Sequence, residues 1–137
     1  MMQTNAHIDH EIREFTAHFL KAFENLDMAT FIACFADEAV AFFPSPEPPL
    51  RFEGKPNIQR QFEIVFAGIR KGASDGPPFH RLDAHDLLIQ MINPETAVVT
   101  FHLLNTERTA RRTLVLVKSE STWRIIHLHA SNGSPAL

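Results

Sequence analysis

The apolar residues in the first half of the chain repeat with the period of an α-helix. Over residues 9–25 they recur every three or four positions and form one stripe, made up of Ile8, Ile12, Phe15, Phe19, Ala22, Phe23 and Leu26. Asp9 is the predicted N-cap, because its carboxylate can accept hydrogen bonds from the first free backbone amides. The same spacing predicts a short second helix over residues 28–35 and a third over residues 57–69.

The second half of the chain shows the alternation and the β-branched residues of strands. Strands are predicted over residues 79–92, 96–106, 110–118 and 122–131. An earlier strand is predicted over residues 39–43 and a short return strand over 50–53. The loop between them is rich in proline, which lacks the amide hydrogen that a β-ladder needs. Helices first and long strands afterwards predict a single α+β domain over residues 1–137.

Composition narrows the class of protein. The 137 residues suit one domain, and the net charge of −3 is spread along the chain, which argues against a nucleic-acid partner. No apolar run is long enough to span a bilayer, and the first residues lack the order of a signal peptide. We therefore expect a cytoplasmic protein without a membrane partner. Cys34 is the single cysteine, and we expect it to be a buried apolar residue.

The aromatic residues are 12 phenylalanines and one tryptophan, with no tyrosine. Phenylalanine supplies volume without hydrogen bonds, so these residues suit a core or the wall of an apolar cavity. Mechanisms that need a phenol hydroxyl are excluded. The sequence contains no phosphate-binding loop, nucleophile elbow or paired-cysteine motif, and we expect no cofactor.

Two histidines lie two residues apart in the last predicted strand. Residues i and i+2 of a strand share a face, so His127 and His129 are expected to point the same way as Trp123. Two imidazoles can chelate a metal ion, although a site needs further ligands, and His85 is a candidate for one of them. The alternative is that both histidines are structural residues at a subunit interface. We favour this second interpretation and expect no metal.

The order of the elements and several short motifs resemble the nuclear-transport-factor-2-like, or SnoaL-like, family. The motifs are residues 23–31, Val40-Ala41-Phe42-Phe43-Pro44, Phe52-Glu53-Gly54, and the ending with Trp123, His127-Leu128-His129 and Ser131. Within this family, the likeness is closest to the association domain of calcium/calmodulin-dependent protein kinase II. The resemblance covers nearly the whole chain.

This resemblance implies a cone, in which three N-terminal helices pack on the concave face of a curved antiparallel sheet and leave a cavity between them. It also implies a homodimer through the outer face of the sheet, with Trp123, His127 and His129 in the interface. Mapped strand by strand, the residues facing the cavity would be Thr100, His102, Leu104, Arg112, Leu114, Leu116, Ile126, Leu128 and Ala130. The arginines of the kinase domain's deep pocket correspond here to His102, Leu114 and Ala130, so the resemblance implies no shared ligand.

His102 and Arg112 are the leading candidates for a functional site in such a cavity. An imidazole in apolar surroundings can act as a general base, as an acid or as a donor to an anion; the alternative is a buried histidine satisfied by its neighbours. Arg112 can bind a carboxylate or phosphate with two parallel hydrogen bonds; the alternative is a solvated strand-end charge. The other expected ligand-binding residues are Thr100, Phe15, Phe19, Phe43, Phe62, Leu114 and Leu128.

Related enzymes of this fold use an acidic residue that projects into the cavity. The candidates here are Asp83, Asp86, Glu47 and Glu53, although each also fits a strand-end or loop charge. Three hypotheses of function follow. The leading one is a domain that binds a small organic acid or a ring-containing molecule. The second is a lyase, isomerase or hydrolase with His102 as general base, and the third is a dimerisation or scaffold module.

Overall fold

The computed structural model describes residues 6–44, 50–73, 75–104 and 109–133, which form three helices and one six-stranded sheet. The elements in chain order are α1 (Ala6–Glu24), α2 (Met28–Ala33), β1 (Phe35–Phe42), β2 (Arg51–Glu53), α3 (Lys55–Gly72), β3 (Ala84–Asn93), β4 (Thr96–Leu104), β5 (Thr109–Ser119) and β6 (Thr122–Gly133). The predicted α+β class is confirmed. Most of the predicted proline loop, including the candidate Glu47, lies outside the described residues.

The curved sheet has the strand order β2-β1-β6-β5-β4-β3. Each pair is antiparallel except β1 and β6, which run parallel. The chain returns to pair with β1 only after the meander of β3 to β6. The three helices cover one face of the sheet, called the inner face below. The opposite face, called the outer face, has no helix on it among the described residues.

The core lies between the helices and the inner face. The apolar stripe of α1 contributes Ile12 and Phe19, α2 contributes Phe31, and α3 contributes Ile58 and Phe62. These side chains meet alternate residues of the central strands, namely Ala97, Val99, Phe101, Leu103, Leu114, Leu116, Ile125 and Leu128. Burial of aliphatic and aromatic area of this kind is the main favourable term in folding.

The prediction that the even-numbered residues of β4 face the cavity is wrong. Its odd-numbered residues are buried on the inner face, with Phe101 only 3% exposed, so Thr100 and His102 lie on the outer face. The register confirms this assignment, because Phe101 is directly opposite Arg112 whereas His102 is opposite Arg111. The facing predicted for β5 is confirmed, since Leu114 and Leu116 are buried.

A β-bulge in β6 overturns the predicted position of Trp123. Val115 pairs with His127 and Leu116 pairs with Ile125, so Ile126 is the extra residue between two paired ones. The bulge reverses the alternation, and Trp123 therefore lies on the inner face. There its indole Nε1 donates to Glu11 Oε1 of α1 at 3.0 Å. Ile126 is the bulged residue and does not take the cavity-facing place expected for it.

Several element boundaries differ from the predicted ones for local reasons. Helix α1 already includes Ala6, so Asp9 is not its N-cap and instead accepts from Arg13 Nε at 2.7 Å. Residues 79–82 do not join β3, because the Phe79 amide donates to Glu24 O and the Leu82 amide donates to Glu24 Oε2. No helix in the described part of the chain is long and apolar enough to cross a membrane.

Candidate functional site

The best candidate site is a cavity between the helices and the inner face, called the aromatic cavity below. Its wall contains six phenylalanines, Phe19, Phe23, Phe31, Phe43, Phe62 and Phe101. Leucines and Ala130 complete the apolar wall, and Arg112 is the only titratable side chain among its described lining residues. The arrangement is an apolar pocket with one cationic group, which is a common composition for a site that binds a small molecule.

Three helices and the sheet each bring aromatic rings to this cavity. The ring centroids of Phe62 lie 4.7 Å from Phe31, 5.1 Å from Phe43 and 5.8 Å from Phe23, in tilted or edge-to-face geometry. Such contacts stabilise aromatic clusters beyond their area burial. The remaining cavity volume is about 10 Å³. A single water molecule needs roughly that much space, so the rings fill the cavity in this conformation.

Among the described residues of this wall, Arg112 alone carries a charge. Its position on β5 directly opposite Phe101 directs it to the inner face. Its Nη1 donates to the backbone carbonyls of Arg111 at 3.0 Å and Ser131 at 3.4 Å, and no described carboxylate lies within 4 Å of the guanidinium. Burial away from water lowers the pKa of Arg112 to about 10. A largely buried cation with no anionic partner among the described residues is costly, so the position favours binding of an anion.

The structure brings together six of the nine predicted ligand-binding residues. Those found in the wall of the aromatic cavity are Arg112, Phe19, Phe43, Phe62, Leu114 and Leu128. Phe15 instead lines a shallow surface groove beside α2, together with Trp123. Thr100 lies opposite Thr113 on the outer face. Five wall residues were not predicted from the sequence, namely Leu20, Phe23, Phe31, Phe101 and Leu103, although the alternation of β4 indicates the last two.

His102 is not in the aromatic cavity. It pairs with His85 of β3 on the outer face, and its Nδ1 lies 3.9 Å from Asp86 Oδ2. The side chain is 42% exposed, and Asp86 is almost fully exposed. The expectation that His102 acts as a base inside an apolar cavity is therefore wrong for this structure. Of the other acidic candidates, Asp83 and Glu53 are exposed and lie outside the wall.

His127 and His129 lie side by side on the outer face, as predicted. The ring of Phe42 on β1 is 5.9 Å from His127 and 5.4 Å from His129. Partial burial lowers the pKa of His127, and the neighbouring His129 lowers it further. The described residues contain no group of three or more side chains placed to hold a metal ion.

The surface groove beside α2 has polar groups that already have partners. Glu11 accepts from Trp123 and, at 3.2 Å, from Lys118 Nζ, and these hydrogen bonds lower the pKa of Glu11. Cys34 also lines the groove, but burial raises its pKa to about 11. A thiol with so high a pKa is a poor nucleophile at neutral pH. The groove is larger than the aromatic cavity, at about 840 Å³, but it is open to solvent.

Comparison with known families identifies the domain. The family model of the SnoaL-like domain matches residues 12–136 of the 137 residues, which is nearly the whole sequence. The chain belongs to the SnoaL-like domain family. The predicted likeness to this family is therefore confirmed, while the narrower likeness to the kinase association domain stays a prediction. No curated protein matches the sequence significantly.

Solved structures share the fold of this SnoaL-like domain at low sequence identity. A nuclear-transport-factor-2-like protein of unknown function from Pseudomonas putida has a TM-score of 0.74 and 21% identity, covering 94% of this chain and 89% of its own. A protein from Novosphingobium aromaticivorans, provisionally named an aromatic ring hydroxylase, has a TM-score of 0.74 and 14% identity, covering 96% of both chains. A provisionally named dehydratase from Streptomyces avermitilis has a TM-score of 0.70 and 14% identity, covering 90% of this chain and 95% of its own. Likenesses at these identities establish the fold alone.

Proposed function

We propose that this SnoaL-like domain binds a small organic acid with an apolar body, and that Arg112 is the partner of the acid's carboxylate. The observation that carries this proposal is the guanidinium in the wall of the aromatic cavity, which has only backbone carbonyls as described partners. Arginine matches a carboxylate with two parallel hydrogen bonds, and such bonds are strong where water is excluded.

The chemistry of the wall favours binding over catalysis. Arginine stays protonated at neutral pH, so it cannot act as a general base. The wall contains no histidine or carboxylate among the described residues. A hydroxylase or dehydratase activity, as in the provisional names of two structural neighbours, would therefore need groups beyond those described.

Binding requires the rings to move, because about 10 Å³ is too small for any organic acid. Phe43 and Phe23 are the rings best placed to move, since both are only partly buried whereas the other rings of the described wall are buried. The ligand class that would replace them is flat and aromatic, because it could take over their ring contacts. Benzoate and phenylacetate are the simplest probes of this class.

The test is a thermal-shift titration of the wild type, Arg112→Gln and Arg111→Gln with benzoate, phenylacetate and their uncharged amides. Arg111 is a matched control, because it is the neighbouring residue on the same strand but faces outward. We expect the acids to raise the Tm of the wild type and of Arg111→Gln, with little effect on Arg112→Gln. Equal responses of both variants, or equal responses to acid and amide, would contradict the proposal.

We also propose that the domain forms a homodimer through the outer face. Leu88 and Ile92 on β3 are 55% and 61% exposed, and Val98, Val115 and Val117 lie only partly buried beside them. Five strands of about ten residues cover roughly 800 Å² at ordinary strand spacing. This is about the area that each partner of a stable dimer buries. A face of this size that exposes Leu88 and Ile92 favours a second copy as its occupant.

Sedimentation equilibrium of the wild type, Leu88→Arg and Ile64→Arg tests the dimer. Leu88 and Ile64 are both exposed, so neither substitution should disturb the folded monomer. Ile64 is the control, because it lies on α3, away from the outer face. We expect a dimer for the wild type and Ile64→Arg, and weaker association for Leu88→Arg. A monomeric wild type at millimolar concentration would overturn the proposed dimer.

A further inference from the structure

The outer face carries four of the chain's eight histidines, called the histidine face below. His85 pairs with His102 across β3 and β4, and His102 in turn pairs with Arg111 of β5. His129 pairs with Thr113, and His127 pairs with Val115. Since paired residues of neighbouring strands share a face, all four imidazoles point away from the helices. The aromatic cavity uses none of them.

His127 and His129 lie at the centre of this face, among mostly uncharged neighbours. From β1, Val40 and Phe42 flank them in register. From β5, Val115 and Thr113 stand opposite them, and Thr100 follows on β4. None of these neighbours carries a charge. Glu53 of β2 follows Val40 in the row of His127, but it is already ion-paired with Arg51 at 3.0 Å.

Charged groups lie at the two ends of the face and on β2, where Glu53 pairs with Val40 and Arg51 pairs with Phe42. Arg124 of β6 pairs with Val117 at one end and lines the same surface pocket as Glu38 of β1. At the other end, Arg111 lies in the row of His102, and Asp86 of β3 is 3.9 Å from His102. Asp37 and Lys55, 4.0 Å apart, line the same surface pocket as Arg124. With Glu53 and Arg51 counted as well, four cations and four anions among the described residues balance one another. The histidines therefore decide the net charge of the face, which rises from about zero to about four positive charges when all four are protonated.

We propose that protonation of His127 and His129 dissociates the homodimer, so that mild acid converts the domain from dimer to monomer. The inference rests on the dimer proposed above, because the histidines act by facing a second copy. Two copies with protonated faces would place like charges together in an apolar interface. Such charges are costly both by repulsion and by loss of water.

The direction of the pH effect follows from linkage. Burial and His129 already hold the pKa of His127 below its usual value in the isolated chain. Burial in a dimer would lower it further, so the dimer holds fewer protons than two monomers. Association is then strongest at neutral pH and weakens as the pH falls through the range in which His127 of the monomer gains a proton. Each imidazole that must stay neutral weakens association by about tenfold per pH unit below its pKa.

The experiment is sedimentation equilibrium from pH 7.5 to 5.5 at constant ionic strength, with folding monitored by circular dichroism. We expect the dimer Kd of the wild type to rise by about 100-fold or more while the monomer stays folded. The double variant His127→Gln and His129→Gln cannot be protonated at these positions, so its Kd should change by less than about tenfold. The double variant His7→Gln and His10→Gln, on the exposed side of α1, is the matched control and should behave like the wild type.

Each of the other outcomes contradicts a different part of the proposal. A wild-type dimer with the same Kd at both pH values overturns the switch and leaves the dimer standing, whereas a monomer at pH 7.5 overturns both. Dissociation by EDTA at pH 7.5 overturns the switch in favour of a metal-bridged dimer. Should the double glutamine variant fail to fold, His129→Gln alone replaces it, because His129 is exposed; this variant should lose part of the pH dependence, and an unchanged dependence overturns the proposal.

Discussion

Gly54 has a backbone conformation that other residues rarely adopt. It precedes α3 with φ of 86° and ψ of 146°, and its amide donates to Ala39 O at 2.8 Å. That bond ties the start of α3 to β1, and α3 in turn carries Phe62 into the aromatic cavity. A single glycine therefore helps to position the helix that carries Phe62 into the cluster of rings.

We expect Gly54→Ala to lower the free energy of unfolding by about 1–3 kcal/mol, because a Cβ is strained at this positive φ. Gly68→Ala is the matched control, since Gly68 lies in the exposed interior of α3 with open space where the added methyl group would lie. It should raise stability by about 0.5–1 kcal/mol. Urea denaturation of both variants measures the difference, and a destabilised Gly68→Ala would contradict this explanation.

At the scale of elements, hydrophobic periodicity predicted most of the fold because long amphipathic segments leave few alternatives. Nine elements were predicted and nine are found in the described residues, with the largest shifts at the starts of β1 and β3. It was harder to predict which face of the sheet each strand residue occupies. In β4 the plain alternation of Ala97, Val99, Phe101 and Leu103 indicates the inner face correctly, whereas the family mapping was displaced by one residue.

The β6 bulge shows why part of the site could not be predicted. In a strand without a bulge, Trp123 and His127 would lie on the same face of the sheet. Nothing in the local sequence marks Ile126 as an extra residue. The bulge is fixed by tertiary contacts. Trp123 and Ile125 both bury their side chains against the helices, while His127 and His129 remain outside.

The hydrogen bonds of Glu11 join α1 to the β5–β6 hairpin, and their contribution should depend on pH. Bonds from Trp123 and Lys118 lower the pKa of Glu11 in the folded state. A lowered pKa means that the carboxylate stabilises the fold above its unfolded pKa, and that this contribution is lost as the pH falls through the folded pKa. Glu11→Gln should therefore cost about 1 kcal/mol at pH 7, a modest value because Glu11 is partly exposed.

Chemical denaturation of Glu11→Gln and Glu14→Gln at pH 7 and pH 3 measures this effect. Glu14 is the matched control, because it is exposed and bonds only with the exposed His10 among the described residues. The stability difference between wild type and Glu11→Gln should shrink at pH 3, and Glu14→Gln should stay within about 0.5 kcal/mol of the wild type. A difference for Glu11→Gln that is the same at both pH values would show that its carboxylate charge is unimportant.

At the scale of the whole molecule, one cluster of rings serves as the core and also occupies the proposed binding site. Phenylalanine rings fill the interior of the cone, so little free volume remains. This explains why the cavity predicted from the resemblance measures only about 10 Å³. Interiors pack to the density of organic crystals, so space for a ligand must come from displaced side chains. The proposed ligand and the native rings therefore compete for one volume.

This competition can be tested by removing one ring. Phe62→Ala opens space beside Arg112, whereas Phe66→Ala removes an equally buried ring one turn further along α3 that is outside the cavity wall. Both changes should cost about 3–5 kcal/mol of stability, since each deletes a buried phenylalanine. Only Phe62→Ala should gain affinity for benzoate, because only there does the new space lie next to the guanidinium. Isothermal titration measures the two affinities. Equal gains in both variants would mean that any void in this core accepts the ring, and that Arg112 adds no selectivity.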